Sequence, residues 1–145
     1  MKYEDWRKQR QDSFSKLPLK AAFSQKQFEE MMSEWGLTTS EEDLQKLQPL
    51  GGGAYCLKTD YHLFVEWGEE QDRQQKEFLS DEEQLKDALI YEFGNHECGY
   101  TMDPKEAVRE LFDDKEAKSN ELLKKVLPIA WKEYLGNAMI TNYHI

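Results

Sequence analysis

Ser80-Asp81-Glu82-Glu83-Gln84-Leu85-Lys86-Asp87-Ala88-Leu89-Ile90-Tyr91-Glu92-Phe93-Gly94 is the stretch that decides the fold. It opens as a capping box, in which a hydroxyl satisfies a backbone N–H three residues on. It ends on glycine, the residue that most often follows a helix. Between these signals Leu85, Ala88, Leu89 and Phe93 recur with helical spacing, so the stretch predicts an amphipathic helix with one face in a core.

The same pattern repeats on both sides. Upstream, Ser24 predicts an N-cap, and Phe28, Met31, Met32 and Trp35 form the buried stripe of a helix stopped by Gly36. Ser40-Glu41-Glu42-Asp43 starts a short helix through Leu44 and Leu47, with acids where the helix dipole favours them, and Pro49 closes it. Trp6, Arg10, Phe14 and Leu17 lie about one turn apart and predict an N-terminal helical extension within residues 1–20, ended by Pro18. Lys58-Thr59-Asp60 looks like a further helix start. Tyr61, Phe64, Val65 and Gly68 make its apolar face, and Glu69 to Glu77 hold no apolar residue, so the helix there continues solvated or frays.

Downstream, Asp103-Pro104 opens a helix through Ala107, Val108, Leu111 and Phe112. Ser119 caps the last helix, in which Leu122, Leu123, Val126 and Leu127 lead to a kink at Pro128 and on to Gly136. Residues 137–145 form a tail. Two stretches read as extended, Tyr55-Cys56-Leu57 and Glu97 to Met102, and they are candidates to pair with each other. The expected fold is therefore mainly α: a single compact domain over residues 1–145, with six or seven short helices and at most one small two-stranded element.

A chain of 145 residues is long enough to build one core without disulfide or metal staples. No run approaches the ~20 apolar residues that a bilayer requires. The start, Met1-Lys2-Tyr3-Glu4-Asp5-Trp6, lacks the apolar segment of a signal peptide, so the expected location is cytoplasmic, where Cys56 and Cys98 stay reduced. No cofactor is predicted.

Charge is distributed unevenly. Residues 1–50 carry 8 Lys/Arg against 9 Asp/Glu, residues 51–100 carry 4 against 12, and residues 101–145 carry 7 against 8. The middle third thus supplies −8 of the net −10. Such a chain repels phosphates, which argues against direct nucleic-acid binding, and it attracts basic protein surfaces. The expected partner-binding face is Glu66, Glu69, Glu70, Asp72 and Glu77, continued by Asp81, Glu82 and Glu83. Its partner would be a basic protein surface, such as that of a nucleic-acid-binding nuclease. The alternative assignment for these residues is a solubilising face.

Glu92-Phe93-Gly94-Asn95-His96-Glu97-Cys98-Gly99-Tyr100 concentrates the side chains capable of chemistry. If the helix ran past Gly94, Glu92 and His96 would share a face at i, i+4, as two metal ligands can, with Glu97, Cys98 or His62 as a further ligand. The string is neither H-E-x-x-H nor C-x-x-C, and Gly94 should break the helix. The expected state is therefore a helix end and turn in which Asn95 and His96 satisfy backbone groups and Tyr100 packs inward. Glu92, Asn95, His96, Glu97 and Tyr100 remain the alternative site, belonging to a small metal-dependent enzyme. No catalytic residue and no metal ligand is assigned. Gly51-Gly52-Gly53 with Lys58-Thr59 imitates a phosphate loop, but Leu57 stands where such a loop needs glycine, so a turn is expected. Trp35 and Trp131 lie on apolar faces and read as core, while Trp6 and Trp67 each border a polar stretch.

Phe23-Ser24-x-x-Gln27-Phe28-Glu29-Glu30, Gly36-Leu37, Leu50-Gly51-Gly52-Gly53, Lys58-x-Asp60 and Tyr91-Glu92-x-x-Asn95-His96-Glu97-x-Gly99-Tyr100-Thr101 together resemble a family of small bacterial proteins, many encoded by phages and mobile elements. The resemblance spans about residues 22–112, and Cys98 and Leu57 depart from it. It implies a genomic setting and no particular reaction. A small acidic protein in that setting resembles accessory and anti-defence proteins, including anti-CRISPR inhibitors that occupy the nucleic-acid channels of nucleases. That analogy of charge and context favours a binding protein over an enzyme.

Overall fold

In the computed structural model, which describes the backbone of residues 1–143 and the side chains of residues 1–137, the chain begins with α1 (Tyr3–Ser15), β1 (Lys20–Ala21), α2 (Gln25–Glu34) and α3 (Glu41–Leu44). It continues through β2 (Leu47–Gly51), β3 (Ala54–Leu57), a 3-10 turn (Lys58–Asp60) and α4 (Tyr61–Phe78). The remainder is α5 (Glu82–Asn95), α6 (Cys98–Thr101), α7 (Lys105–Leu111), α8 (Asp114–Ser119) and α9 (Glu121–Tyr143). The protein is mainly α, and none of its described helices is long and apolar enough to cross a membrane. Contacts group the chain into two compact units, residues 11–72 and residues 1–10 with 73–145.

In the unit of residues 11–72, a three-stranded antiparallel sheet has the order β1-β3-β2, one strand more than the sequence reading allowed. Tyr55 pairs with Lys20 on one side and Pro49 on the other. The partners of β3 are thus β1 and β2, and residues 97–102, expected as a strand, form the turn of helix α6 instead. Pro49 belongs to a strand and does not close a helix. It is tolerated there because β2 is an edge strand, where a missing N–H breaks no interior ladder.

The glycine triplet makes the turn between β2 and β3, with φ of 92°, 60° and 82° at Gly51, Gly52 and Gly53. These angles suit glycine because no Cβ meets the neighbouring carbonyl. The Gly53 carbonyl also accepts the Ala22 N–H at 2.9 Å. A Cβ at Gly53 would lie 2.6 Å from the Phe23 ring and 3.3 Å from the Ala22 carbonyl oxygen, whereas one at Gly52 would meet open space. Gly52→Ala should therefore cost about 1 kcal/mol for its backbone angle alone, and Gly53→Ala about 2 kcal/mol. Urea denaturation of the two variants checks that order.

Helix α2 is capped as expected, Ser24 accepting the Gln27 N–H at 3.2 Å. It buries Met31 and Met32 with Ala22 and Leu47, and Phe28, Trp35 and Tyr55 pack around them. Trp67 in α4 donates its indole N–H to the Ser13 hydroxyl at 2.9 Å and packs its ring at a tilt against Phe14, with ring centres 5.1 Å apart. Helix α4 does not fray within its apolar-free stretch, since it continues to Phe78.

The other unit is organised around α5, which starts one residue later than the capping box indicated. Asp81, not Ser80, accepts the Gln84 N–H (2.9 Å), while the Ser80 hydroxyl donates back to the Glu77 carbonyl (2.6 Å). Leu85, Ala88, Leu89 and Phe93 are fully buried, as their spacing required. They meet Ala107 and Leu111 of α7 and Leu123, Val126 and Ala130 of α9. Tyr3 and Trp6 bring the first turns of α1 into the same core, where both rings lie 5.9 Å from Phe78.

Nine α-helices form among the described residues, more than the six or seven expected. One of the additions is α8, whose start is fixed by Asp113 accepting the Glu116 N–H at 2.7 Å. The cap of α9 is Asn120, which accepts the Leu123 N–H at 2.9 Å, in place of Ser119. Pro128 lies within α9, which runs on to Tyr143, so most of the expected tail is helical. Residues 144 and 145 of that tail lie outside the described residues.

Candidate functional site: a buried glutamate and its ring of partners

Helix α5 does not stop at Gly94. It runs through Asn95, and His96 closes it, its N–H bonded to the Glu92 carbonyl at 2.9 Å. A helical glycine loses backbone entropy but breaks no hydrogen bond, so the ladder survives it. The consequence is that Glu92 and His96 do share a face.

Glu92 is wholly buried, and its carboxylate is the centre of a polar cluster. Oε1 accepts from the Tyr3 hydroxyl (3.1 Å) and from Arg7 Nη1 (3.0 Å). Oε2 accepts from Asn95 Nδ2 (3.3 Å) and lies 3.1 Å from His96 Nε2. Glu110 of α7 approaches from the other side, its Oε2 3.8 Å from the same histidine nitrogen. A buried carboxylate is tolerated only when paired, and Arg7 supplies the pairing charge while its guanidinium rests over the Tyr91 ring. Burial first, and then the Glu92 charge, push the Tyr3 phenol well above the ordinary tyrosine range, so that it stays a donor.

His96 Nε2 is shielded from solvent yet is aligned with neither carboxylate as a hydrogen bond. The atoms that Glu92, His96 and Glu110 can offer to an ion all lie within 4.8 Å of one another. Arg7, Tyr3 and Glu110 escape a reading of the sequence because they come from α1 and α7. A usable signal did exist for Glu92, which falls seven residues after Leu85 on the buried stripe and so demands a cationic partner.

The other expected members stand apart. Glu97 is exposed with a left-handed backbone (φ 53°), and Tyr100, expected to pack inward, is 90% exposed. The reason is angular: α6 buries Cys98, and a residue two positions on points to the opposite side of a helix. Cys98 is also a poor ligand, because burial pushes its thiol above the ordinary range. His62 is exposed in the unit of residues 11–72, with Nδ1 3.0 Å from the Thr59 carbonyl oxygen.

All eight acidic residues of the expected partner-binding face are exposed. Glu66, Glu69, Glu70 and Asp72 belong to one unit, and Glu77, Asp81, Glu82 and Glu83 to the other. The second group has local roles: Glu77 pairs with Arg73 (3.0 Å), Glu82 with Lys125 (3.1 Å) and Glu83 with Lys86 (3.6 Å), while Asp81 caps α5.

A family model, described as a family of unknown function (DUF7659), matches residues 2–133. No curated protein and no solved structure matches the chain.

Proposed function

The chain belongs to the DUF7659 family of unknown function, and from its own residues we propose that it is a binding protein that docks an acidic helix surface onto a basic, nucleic-acid-binding surface of another protein. An anti-defence inhibitor carried by a phage or mobile element would work in this way. The observation that carries the reading is the exposure of Glu66, Glu69, Glu70 and Asp72 along α4, in the third of the chain that holds −8 of the net charge. Carboxylates so placed act outward, over a Debye length of about 8 Å at physiological salt. They compete with phosphates for the same lysines and arginines and speed encounter more than they tighten the final complex.

The experiment is capture from a bacterial lysate on the immobilised chain, beside the variant E69K/E70K/D72K. The wild type should retain nucleic-acid-binding proteins that are released by salt and by competing duplex DNA. The variant should retain them at least about tenfold less, while its thermal midpoint stays nearly unchanged, because exposed charges contribute little to stability. Equal retention by the variant, or indifference to competing DNA, overturns the reading.

A further inference from the structure

We propose that Glu92, His96 and Glu110 form a binding site for one divalent transition-metal ion of the zinc class. Two oxygens and an imidazole nitrogen suit such an ion, and donor atoms that share a tetrahedral ion at ~2.0–2.1 Å stand about 3.3 Å apart. The separations from His96 Nε2, 3.1 Å to Glu92 Oε2 and 3.8 Å to Glu110 Oε2, straddle that value.

The histidine supplies the second argument. A cluster serving only to hold helices together would use His96 Nε2 in a hydrogen bond, since two carboxylates are at hand. Instead this nitrogen is shut away from solvent without one, while both carboxylates face it. A ligand nitrogen has this disposition, because its lone pair is meant for the ion.

The surroundings are those of a supported site. Tyr3 and Arg7 hold Glu92 by Oε1, which fixes the carboxylate, while Oε2, which also accepts from Asn95 Nδ2, is turned to His96. Such outer contacts orient metal ligands and tune their affinity. Two carboxylates against one guanidinium leave the cluster net negative, and His96 sits at the C-terminal end of α5, where the helix dipole favours a cation. Three protein ligands also leave a coordination position for water or an outside donor, the pattern of reactive rather than purely structural zinc sites. Glu110, half exposed on α7, is the ligand on the solvent side.

The test uses the full chain after chelator treatment, titrated calorimetrically with Zn²⁺ and spectroscopically with Co²⁺. The wild type should bind one ion per chain and develop the visible absorption of Co²⁺ held at low coordination number. H96A and E110Q should each weaken Zn²⁺ binding by about tenfold or more and abolish the Co²⁺ band, and H62A should change neither. Glu110 is partly solvated, so E110Q should keep the wild-type thermal midpoint in chelator, which separates ligand loss from unfolding. The proposal is overturned if the wild type binds no ion stoichiometrically, if both H96A and E110Q bind as the wild type does, or if H62A removes the binding.

Discussion

Phe93→Ala is expected to lower the unfolding free energy by about 4 kcal/mol, in the middle of the range for truncation of a buried aromatic residue. The ring is fully buried in α5, with the Trp131 ring 5.0 Å and the Tyr134 ring 5.4 Å from its centre. Both neighbours sit on α9, a helix whose own buried residues are fixed by α5, so the space left behind has little freedom to collapse. The cost is then the lost transfer energy plus the full cavity, and for a chain of this size each kcal/mol moves the melting midpoint by roughly 3 °C. Phe93→Leu, which keeps most of the volume, should cost only about 1.5 kcal/mol. Urea denaturation with an unchanged slope checks both. A loss below about 1 kcal/mol for Phe93→Ala would mean that α9 does not pack as described.

The stripe that makes this prediction possible is local. Leu85, Ala88, Leu89 and Phe93 are neighbours on a helix whatever the rest of the chain does, and all four are buried. Features that depend on distant residues were not legible. Strand β1 has two residues, too few for any periodicity, and β2 contains Pro49, which in isolation marks a stop. Gly94 misleads for a related reason. Glycine ends a helix when the backbone must turn left-handed, and here that turn comes three residues later, at Glu97. The spacing of Glu92 and His96 was present in the sequence, but the residues that give it meaning are Glu110, Arg7 and Tyr3. Tyr3 and Arg7 are separated from Glu92 by 89 and 85 positions. Composition was the safer guide to the surface, where nine of the twelve acidic residues of the middle third are exposed and Glu92 is the buried exception.

Arg7→Ala should be the most damaging change on α1, costing about 3 kcal/mol although Arg7 itself is not fully buried. The cost arises at Glu92, which has no exposed surface and is paired there with the guanidinium, 3.0 Å from Oε1. Without Arg7, the Tyr3 hydroxyl and the Asn95 amide still donate, but neither carries a compensating charge. Breaking a buried pair from one side typically costs about 3–5 kcal/mol, and partial solvent access at Arg7 places this case at the lower end. Removing the charge from both sides should then be less harmful than the sum of the single changes. Glu92→Gln leaves a neutral acceptor for Tyr3, and the double variant R7A/E92Q should recover about 1–2 kcal/mol relative to additivity. Denaturation of the four proteins in the presence of chelator, so that no ion adds its own stabilisation, measures this coupling. Strict additivity would show that Arg7 and Glu92 do not act as a pair, and that α1 is held to α5 by the packing of Tyr3 and Trp6 and by the Tyr3 N–H donating to Asp87 Oδ2 at 2.7 Å.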